Sequence, residues 1–438
     1  MNRSNFLKEA ALLGLGFGLN PHFALTRQAK KPFVIGIVGA GITGLHLAKS
    51  LQSAGHAVRI FEAKNRAGGR IFQNDHFYSS PIDLGAQWIH GKNELYKIVR
   101  QRNVPIYRDT KNDLIKISYK EKLLNDFPPE FYLFIDEISK KTPLKVDMSV
   151  LNFTRNITSD SAFISLIENA LTDAATSAHN LSVNEISKLT QKLKTVDYQF
   201  ADITMYEFIA SNYLEKLSAN ISYNTPINAI DYTGKTVILS ANENKLYEFD
   251  KVIVTIPITE LKSNKIQFLP GLPAEKTAAF NKIGMDKGLK LFLKFEKRFY
   301  THLIFNGKYA GYYIDPTKRG DYSKQSLLAS LIMGKKADIY YENPAKAIQN
   351  YLMELDALFD GQASKYFSGS FVQDWGNEEY INGVYSYTLP GGQSARAIAK
   401  QSINNRLFFA GEAMNTNKNY GNVHGAIESA MEVLKEME

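Results

Sequence analysis

A glycine pattern near the start of the chain constrains its fold more than any other feature. The residues GAGITG occupy positions 39–44, between an apolar segment predicted as a strand (Phe33–Val38) and a segment predicted as a helix (Leu45–Ala54). A second predicted strand, Val58–Phe61, follows and ends at Glu62. This order of strand, glycine turn, helix, strand and acid is typical of a βαβ unit that binds a dinucleotide. A plain βα turn that binds nothing is the alternative.

Each position in this pattern has a physical task. Gly39 allows a tight turn, Gly41 lets the backbone approach a pyrophosphate, and Gly44 lets the helix pack on the strand. The free amides at the helix N-terminus, near Ile42, carry a partial positive charge that favours phosphate binding. Glu62 stands at the end of the second strand, where a carboxylate can accept hydrogen bonds from ribose hydroxyls.

Length and composition exclude several classes of protein. A chain of 438 residues is expected to form two domains of ordinary size. The sequence contains no cysteine, which excludes disulfides, thiolate catalysis and cysteine-ligated zinc. Its eight histidines show no metal-ligand spacing, so we predict no metal site. The net charge of +8 comes from scattered Lys and Arg, and we expect a solvated basic surface rather than nucleic-acid binding.

The first residues differ from the rest of the chain. An apolar run at positions 10–19 follows a basic start that contains Arg3 and Lys8. This arrangement is typical of a secretory signal peptide, and the run is too short to span a bilayer comfortably. It also resembles a twin-arginine export signal in which Ser4 replaces the second arginine. We therefore predict a leader over residues 1–30 and export to the periplasm or medium, with an unexported cytoplasmic protein as the alternative and no membrane span in the mature chain.

The remaining sequence contains both helical and strand patterns. The segment from Asn93 to Leu217 is expected to be mostly helical. Strands are predicted within 221–256, 288–295, 327–333 and 407–410, and a last helix over 425–437.

Four further segments favour a flavin over a nicotinamide cofactor. RAGGR at 66–70 puts two arginines around a flexible glycine pair directly after the acid, where they can bind pyrophosphate. DLGAQWIHG follows at 83–91. Near the other end of the chain lie GE at 411–412 and GNVHGA at 421–426.

Taken together, these segments resemble the flavin amine oxidase family, which includes monoamine, polyamine and L-amino-acid oxidases and histone lysine demethylases. The resemblance extends from about Val34 to the C-terminus and is weakest between Asn93 and Leu217. It implies an α/β fold with an FAD-binding, Rossmann-like domain of the glutathione-reductase type and a substrate domain of mixed sheet and helices. The predicted FAD domain comprises residues 31–92, 218–262 and 400–438, and the substrate domain 93–217 and 263–399.

The resemblance also implies how FAD is held. The backbone at Ile227 contacts the adenine, Glu412 approaches the ribityl chain, and Val423 lies near the pyrimidine edge of the flavin. Because the sequence has no cysteine, the commonest covalent link is impossible and we expect non-covalent FAD. The predicted cofactor-binding residues are Gly39, Gly41, Ile42, Gly44, Glu62, Arg70, Gly85, Ala86, Gln87, Trp88, Ile227, Trp375, Gly411, Glu412, Asn422 and Val423.

Lys290 is the most informative candidate for catalysis. It lies in GLKLFLKF at 288–295, where alternate residues of a strand share a face. Lys290 thus shares its face with Phe292 and Lys294, and the pattern does not show which face is buried. From the residues alone, Lys290 could be an ordinary solvated lysine. The resemblance implies instead that it contacts flavin N5 through a water.

Two more side chains are implicated in substrate binding. The resemblance puts the Tyr385 ring beside the flavin, with core packing as the alternative. In many family members a second aromatic ring faces it, but here Asn422 occupies that position, and Tyr420 or Tyr387 could replace the ring. His90 resembles a histidine of many polyamine oxidases and could contact substrate, or it could be a structural histidine.

The resemblance implies FAD-dependent amine oxidation. A neutral amine would transfer hydride from its α-carbon to flavin N5, giving an imine and then an aldehyde or ketone. O2 would reoxidise the flavin and yield hydrogen peroxide. The alternatives are an oxidase or desaturase of a non-amine such as a porphyrinogen or carotenoid, and a flavin-binding protein that has lost activity. Asn422 and the altered segment at 198–202 are the reasons for considering lost activity.

Overall fold

The described part of the chain begins at Pro32, directly before the first predicted strand. In this computed structural model it comprises residues 32–110, 115–170, 178–186, 195–242, 245–317 and 325–438. The predicted leader over residues 1–30 lies outside the described residues.

The strands of the described residues are β1 Val34–Val38, β2 Ala57–Phe61, β3 Gln73–Asn74, β4 Ile82–Asp83, β5 Ile89–His90, β6 Ile106–Arg108, β7 Ile115–Tyr119, β8 Lys122–Leu124, β9 Asp197–Phe200, β10 Ile221–Ser222, β11 Ile227–Asp231, β12 Val237–Ala241, β13 Leu246–Phe249, β14 Lys251–Val254, β15 Gln267–Leu269, β16 Ile283–Met285, β17 Gly288–Phe295, β18 Leu303–Phe305, β19 Tyr312–Tyr313, β20 Ser326–Met333, β21 Phe367–Asp374, β22 Ser386–Thr388 and β23 Leu407–Phe409. The α-helices are α1 Ile42–Ser53, α2 Glu94–Gln101, α3 Pro129–Lys141, α4 Val150–Ile157, α5 Ser161–Ala170, α6 Met205–Ile209, α7 Glu215–Leu217, α8 Ile258–Lys262, α9 Ala274–Asn281, α10 Lys335–Glu342, α11 Pro344–Leu358, α12 Gln362–Tyr366, α13 Ala395–Ala399 and α14 Val423–Met437.

A five-stranded parallel sheet joins the two ends of the chain. Its strand order is β10-β2-β1-β14-β23. Because all these pairs are parallel, β1, β2, β14 and β23 end at the same edge of the sheet. In open sheets of this kind ligands bind outside the carboxyl ends of the strands.

Both faces of this sheet are covered, as expected for parallel strands. Ile253 and Phe408 belong to a buried cluster that includes residues of α1 and α14. Their neighbours Val254 and Phe409 belong to a second cluster, which includes residues of β11 and β12. Alternate residues of the same strands therefore contribute to two cores, one on each face of the sheet. Packing on both faces holds the sheet in place between them.

A third buried cluster surrounds the strand that carries Lys290. The central strand β17 pairs antiparallel with β20 on one side and β21 on the other. The cluster is drawn mainly from residues 78–186 and 289–387. The division into two domains with the boundaries predicted above stays a prediction. Among the described residues, no helix is both long and apolar enough to cross a membrane.

Two expectations about local structure differ from the structure. The segment from Asn93 to Leu217 contains β6, β7 and β9 as well as helices, because these strands pair with strands far away in sequence. The first helix begins at Ile42 rather than Leu45, since Gly41 is extended (φ −71°, ψ 175°) and the helix starts immediately after it. The glycine turn therefore points the first amides of α1 towards the sheet edge.

Candidate active site

A cavity of about 640 Å³ follows the carboxyl edge of the parallel sheet. The turns after β1, β2, β14 and β23 contribute to its wall, and so does β17 of the neighbouring sheet. Of the residues predicted from the sequence, every cofactor-binding residue except Gly44 lines it, as do Lys290, Tyr385 and His90. Gly44 lies beneath the wall, where an added Cβ would come 2.1 Å from the carbonyl oxygen of Gly39.

The surroundings of Gly41 fit a ligand that approaches the backbone. Its φ of −71° is open to any residue type, and an added Cβ would meet no protein atom within 4 Å. The protein itself therefore gives no reason for glycine at this position. A pyrophosphate against the first turn of α1 gives one, because a side chain would occupy its space.

Glu62 is held so that its carboxylate meets the cavity. It is 8% exposed, its Oε2 accepts a hydrogen bond from the Ala40 amide (2.8 Å), and its Oε1 accepts one from the Lys64 amide (2.9 Å). Burial raises the pKa of the Glu62 carboxyl, and these two amides oppose the rise. Each oxygen can accept a further hydrogen bond, which suits the hydroxyls of a ribose.

The two arginines of the RAGGR segment are occupied by protein partners. Arg66 donates to the Gly69 carbonyl (2.9 Å) and is not part of the cavity wall. Arg70 lines the cavity and donates to Glu412 Oε1 at 2.9 Å and to the Val384 carbonyl at 2.8 Å. Arg66 also contacts Glu378 at 3.3 Å, so of the two arginines predicted to bind a pyrophosphate Arg70 is the one in the cavity wall.

Glu412 is a buried anion at the cavity wall. Besides Arg70, it accepts hydrogen bonds from the Ser386 hydroxyl (2.7 Å) and from the Gly421 amide (2.8 Å). Burial alone would raise the pKa of Glu412, but Arg70, the Ser386 hydroxyl and the charge of Arg396 hold it below its usual value. A stable negative charge is thus fixed where the last strand of the parallel sheet ends.

Lys290 is the buried lysine of β17. It is 3% exposed, and its Nζ donates to the Asp83 carbonyl (2.7 Å), the Gly85 carbonyl (3.1 Å) and Gln87 Oε1 (2.5 Å). Burial lowers the pKa of Lys290 to about 8, with partial opposition from Asp83. Lys294 bonds the Phe77 carbonyl (3.1 Å) outside the cavity wall. Of the two lysines on this strand face, Lys290 is the one at the cavity.

Gln87 offers a second test of ligand fit. Its oxygen is bonded by Lys290, while its Nε2 is buried and has no hydrogen-bond partner within the described ranges. An unpartnered buried amide is costly, and most such groups are satisfied by a ligand or water. Since Gln87 lines the cavity beside Lys290, an acceptor atom of a bound flavin or its water would satisfy it.

Only one of the two predicted aromatic positions beside the flavin carries a ring. Tyr385 lines the cavity and packs against Gly421, where an added Cβ would come 2.9 Å from its Cδ2. Tyr387 and Tyr420 are not part of the wall, and their hydroxyls contact carboxylates elsewhere at 2.6 and 2.5 Å. Neither therefore replaces the ring that Asn422 lacks.

A carboxylate that the sequence analysis missed lies beside His90. Asp197 of β9 pairs with His90 of β5, and His90 Nδ1 is 2.9 Å from Asp197 Oδ1. Both side chains line the cavity. The altered segment at 198–202 begins at the next residue, but only the pairing of the two strands reveals Asp197. The apolar residues of the same wall are Trp88, Ile115, Phe305, Tyr312, Ile314 and Leu331.

Comparisons with known proteins identify the family of the chain. A family model described as flavin containing amine oxidoreductase matches residues 42–212 and 204–433. Polyamine oxidase 4 of Oryza sativa is 24% identical over 452 residues, covering 93% of this chain and 89% of that protein. Lysine-specific histone demethylase 2 of Homo sapiens is 28% identical over 416 residues, covering 86% of this chain but only 50% of that protein.

Solved structures resemble the chain along most of its length. Putrescine oxidase bound to putrescine aligns with a TM-score of 0.80 at 18% identity, over 93% of this chain and 99% of that one. Cyclohexylamine oxidase from Brevibacterium oxydans aligns with the same score, identity and coverage. At this identity the likeness concerns the fold. The predicted α/β fold and the FAD cofactor are confirmed.

Gly41→Val should abolish FAD binding without unfolding the protein. The new methyl groups would enter the space that the pyrophosphate needs, and no protein atom opposes them. Flavin absorbance retained after gel filtration measures the binding, and thermal unfolding of the apoprotein measures the fold. Gly44→Val is the matched control, because its Cβ would collide with the backbone and should lower stability by about 1–3 kcal/mol. Wild-type FAD affinity in Gly41→Val would contradict the assignment.

Proposed function

Because the chain belongs to the family of flavin containing amine oxidoreductases, we propose that it is an FAD-dependent oxidase of a diamine or polyamine. We infer the substrate class from Asp197, a carboxylate in the cavity wall that Trp88, Ile115 and other apolar residues also line. A substrate with a second ammonium group would find its counter-charge there. The names of two similar proteins, a polyamine oxidase and a putrescine oxidase, support the same class.

FAD fits the cavity residue by residue. The turn at Gly41 would hold the pyrophosphate, Glu62 the ribose, and the backbone at Ile227 the adenine. Glu412 would hold the ribityl chain, and Val423 would lie at the pyrimidine edge. Bound FAD supplies a two-electron acceptor for the hydride of the amine α-carbon.

The protein must bind the reacting amine in its neutral form. An alkylammonium with an ordinary pKa near 10 loses its proton at pH 7 at a cost of roughly 4 kcal/mol. The aromatic wall at Tyr385 and the buried cation of Lys290 both disfavour an ammonium beside them, through desolvation and like-charge repulsion. No carboxylate or histidine base is then required at the reacting end.

The end of the substrate that contacts Asp197 has the opposite preference. Asp197 accepts a hydrogen bond from His90 through one oxygen, which leaves the second oxygen for a ligand. An ammonium at this end would be stabilised by a charge-assisted hydrogen bond. A molecule with amines at both ends therefore has one charged and one neutral end when bound.

We further propose that O2 is the electron acceptor, that hydrogen peroxide is the product, and that residues 1–30 direct export. The basic start and the apolar run at 10–19 support the export proposal. Neither proposal depends on the other.

Asp197→Asn should lower kcat/KM for putrescine by about ten- to a hundredfold, the effect of one hydrogen bond to a charged group. Butylamine, which has one amine, should be oxidised at an unchanged rate. Peroxide release with both amines measures the effect, and Asp202→Asn, an exposed acid five residues further on, is the control. Equal losses for both amines would contradict the diamine class, and a lack of peroxide from any amine would contradict the oxidase function.

Lys290→Met should slow amine oxidation by about ten- to a thousandfold, or roughly 1.4–4 kcal/mol of barrier, and leave FAD bound. Met keeps the length of the side chain but removes its charge and its three hydrogen bonds. Because the pKa of Lys290 is about 8, wild-type kcat should also decline as the pH rises through 8, and the variant should lack this decline. Stopped-flow reduction by amine and reoxidation by O2 measure the two half-reactions. Lys294→Met is the control, and normal rates in Lys290→Met would exclude the role.

The mature protein from its native cell should begin after the apolar run at 10–19. A protein that starts at residue 31 should bind FAD like the full chain, because the first core strand begins at Val34. N-terminal sequencing of the fractionated protein tests this. Cytoplasmic protein that retains Met1 would refute the export proposal.

A further inference from the structure

Asn422 precedes the last helix but does not cap it. Asparagine is favoured at this position because its side-chain oxygen accepts a hydrogen bond from an amide of the first turn. At the start of α14 no such bond forms. Instead, Asn422 Nδ2 donates to the Tyr420 carbonyl at 3.3 Å. Within the described part of the chain Asn422 Oδ1 makes no hydrogen bond, so its lone pairs are available to a ligand.

The loop that carries Asn422 is fixed against Tyr385. The Gly421 amide donates to Glu412 at 2.8 Å, and Gly421 has the positive φ of +74° that favours glycine. Its α-carbon packs so closely on the Tyr385 ring that a side chain there would collide. Asn422, the next residue, lines the cavity beside this ring. Tyr385 and Asn422 therefore both border Gly421 and line the same cavity.

We propose that Asn422 determines which amines the enzyme accepts, by receiving an N–H of the reacting amine on its Oδ1. This proposal rests on the proposed amine oxidase function. A neutral primary amine has two N–H groups and a neutral secondary amine has one, so each can donate and still keep its lone pair free. A neutral tertiary amine has none. The site therefore selects primary and secondary amines over N,N-dialkyl amines.

The neutral charge of this acceptor is essential to the argument. A carboxylate at position 422 would stabilise the ammonium form and oppose the loss of its proton. The amide accepts the same hydrogen bond without attracting a positive charge to the reacting end. Asn422 thus adds selectivity beside Tyr385 while Lys290 still disfavours the ammonium.

Asn422→Leu tests the proposal, because leucine has nearly the same size but no acceptor. We compare N-methylbutylamine with N,N-dimethylbutylamine, each of which has a single amine, by kcat/KM and by anaerobic binding that perturbs the flavin spectrum. The preference for the secondary amine should fall about tenfold, the effect of one hydrogen bond. The extra methyl group of the tertiary amine should meet the same steric penalty in the wild type and in Asn422→Leu, because the two side chains have nearly the same size. The change in preference therefore reports the hydrogen bond. Asn417→Leu, the same change at an exposed position of the same loop, should keep the wild-type preference.

Asn422→Asp supplies a readout that a purely structural role would not move. The carboxylate should raise the pKa of the bound amine, and the acidic limb of the kcat–pH profile should move to higher pH by about one unit or more. This variant also carries the test if Asn422→Leu fails to hold FAD.

The outcomes separate this proposal from the oxidase function. An unchanged preference in FAD-loaded Asn422→Leu, or an unmoved limb in Asn422→Asp, would overturn the role of Asn422 while amine oxidation by the wild type stands. If the wild type binds amines selectively and oxidises none, the role of Asn422 stands and the oxidase function fails. If the wild type neither binds nor oxidises amines, both are overturned.

Discussion

The cavity depends on the parallel register of β1 with its neighbours, because this register brings distant parts of the chain to one sheet edge. Val38 lies opposite both Phe61 and Val254, and Val254 lies opposite Phe409. The four strands therefore end at one level. The glycine turn, Glu62 and the residues after β23 all follow that level and meet in one wall. A shift of one strand would separate these groups from one another.

Charge is distributed unequally along this wall. Arg70 is neutralised by Glu412, so this pair contributes little net field to the cavity. Lys290 instead bonds three neutral oxygens, and the Asp83 side chain accepts from the Met205 amide (2.9 Å) rather than from this lysine. The positive charge of Lys290, which lines the cavity, is therefore not cancelled by a direct ion pair among the described residues. The cavity wall thus carries both this cation and the Asp197 carboxylate, which suits the proposed substrate with two amines.

The parts of the site that the sequence could predict are those with local causes. The glycine turn and Glu62 follow from spacing within one βαβ unit, which needs no knowledge of the rest of the fold. Lys290 and Lys294 share one strand face, and the sequence does not show which of them lies at the cavity. The structure distinguishes them, because Lys290 donates hydrogen bonds to the carbonyls of Asp83 and Gly85. Asp197 could not be found in this way, because its significance depends on a histidine 107 residues away. Strands β6, β7 and β9 within 93–217 likewise have partners far away in sequence, whereas β8 pairs with the adjacent β7.

The missing second ring changes what the remaining side chains must do. Tyr420 could have replaced it, but its ring lies under the Arg396 guanidinium (3.5 Å from the ring centre) and its hydroxyl contacts Glu185 at 2.5 Å. These buried contacts hold the loop in place, and the next residue of the loop, Gly421, packs against the Tyr385 ring. Tyr420 therefore contributes rigidity rather than an aromatic face. A polar side chain, Asn422, therefore stands on this loop where the second ring is absent, and a hydrogen-bond acceptor can distinguish amines by the number of their N–H groups.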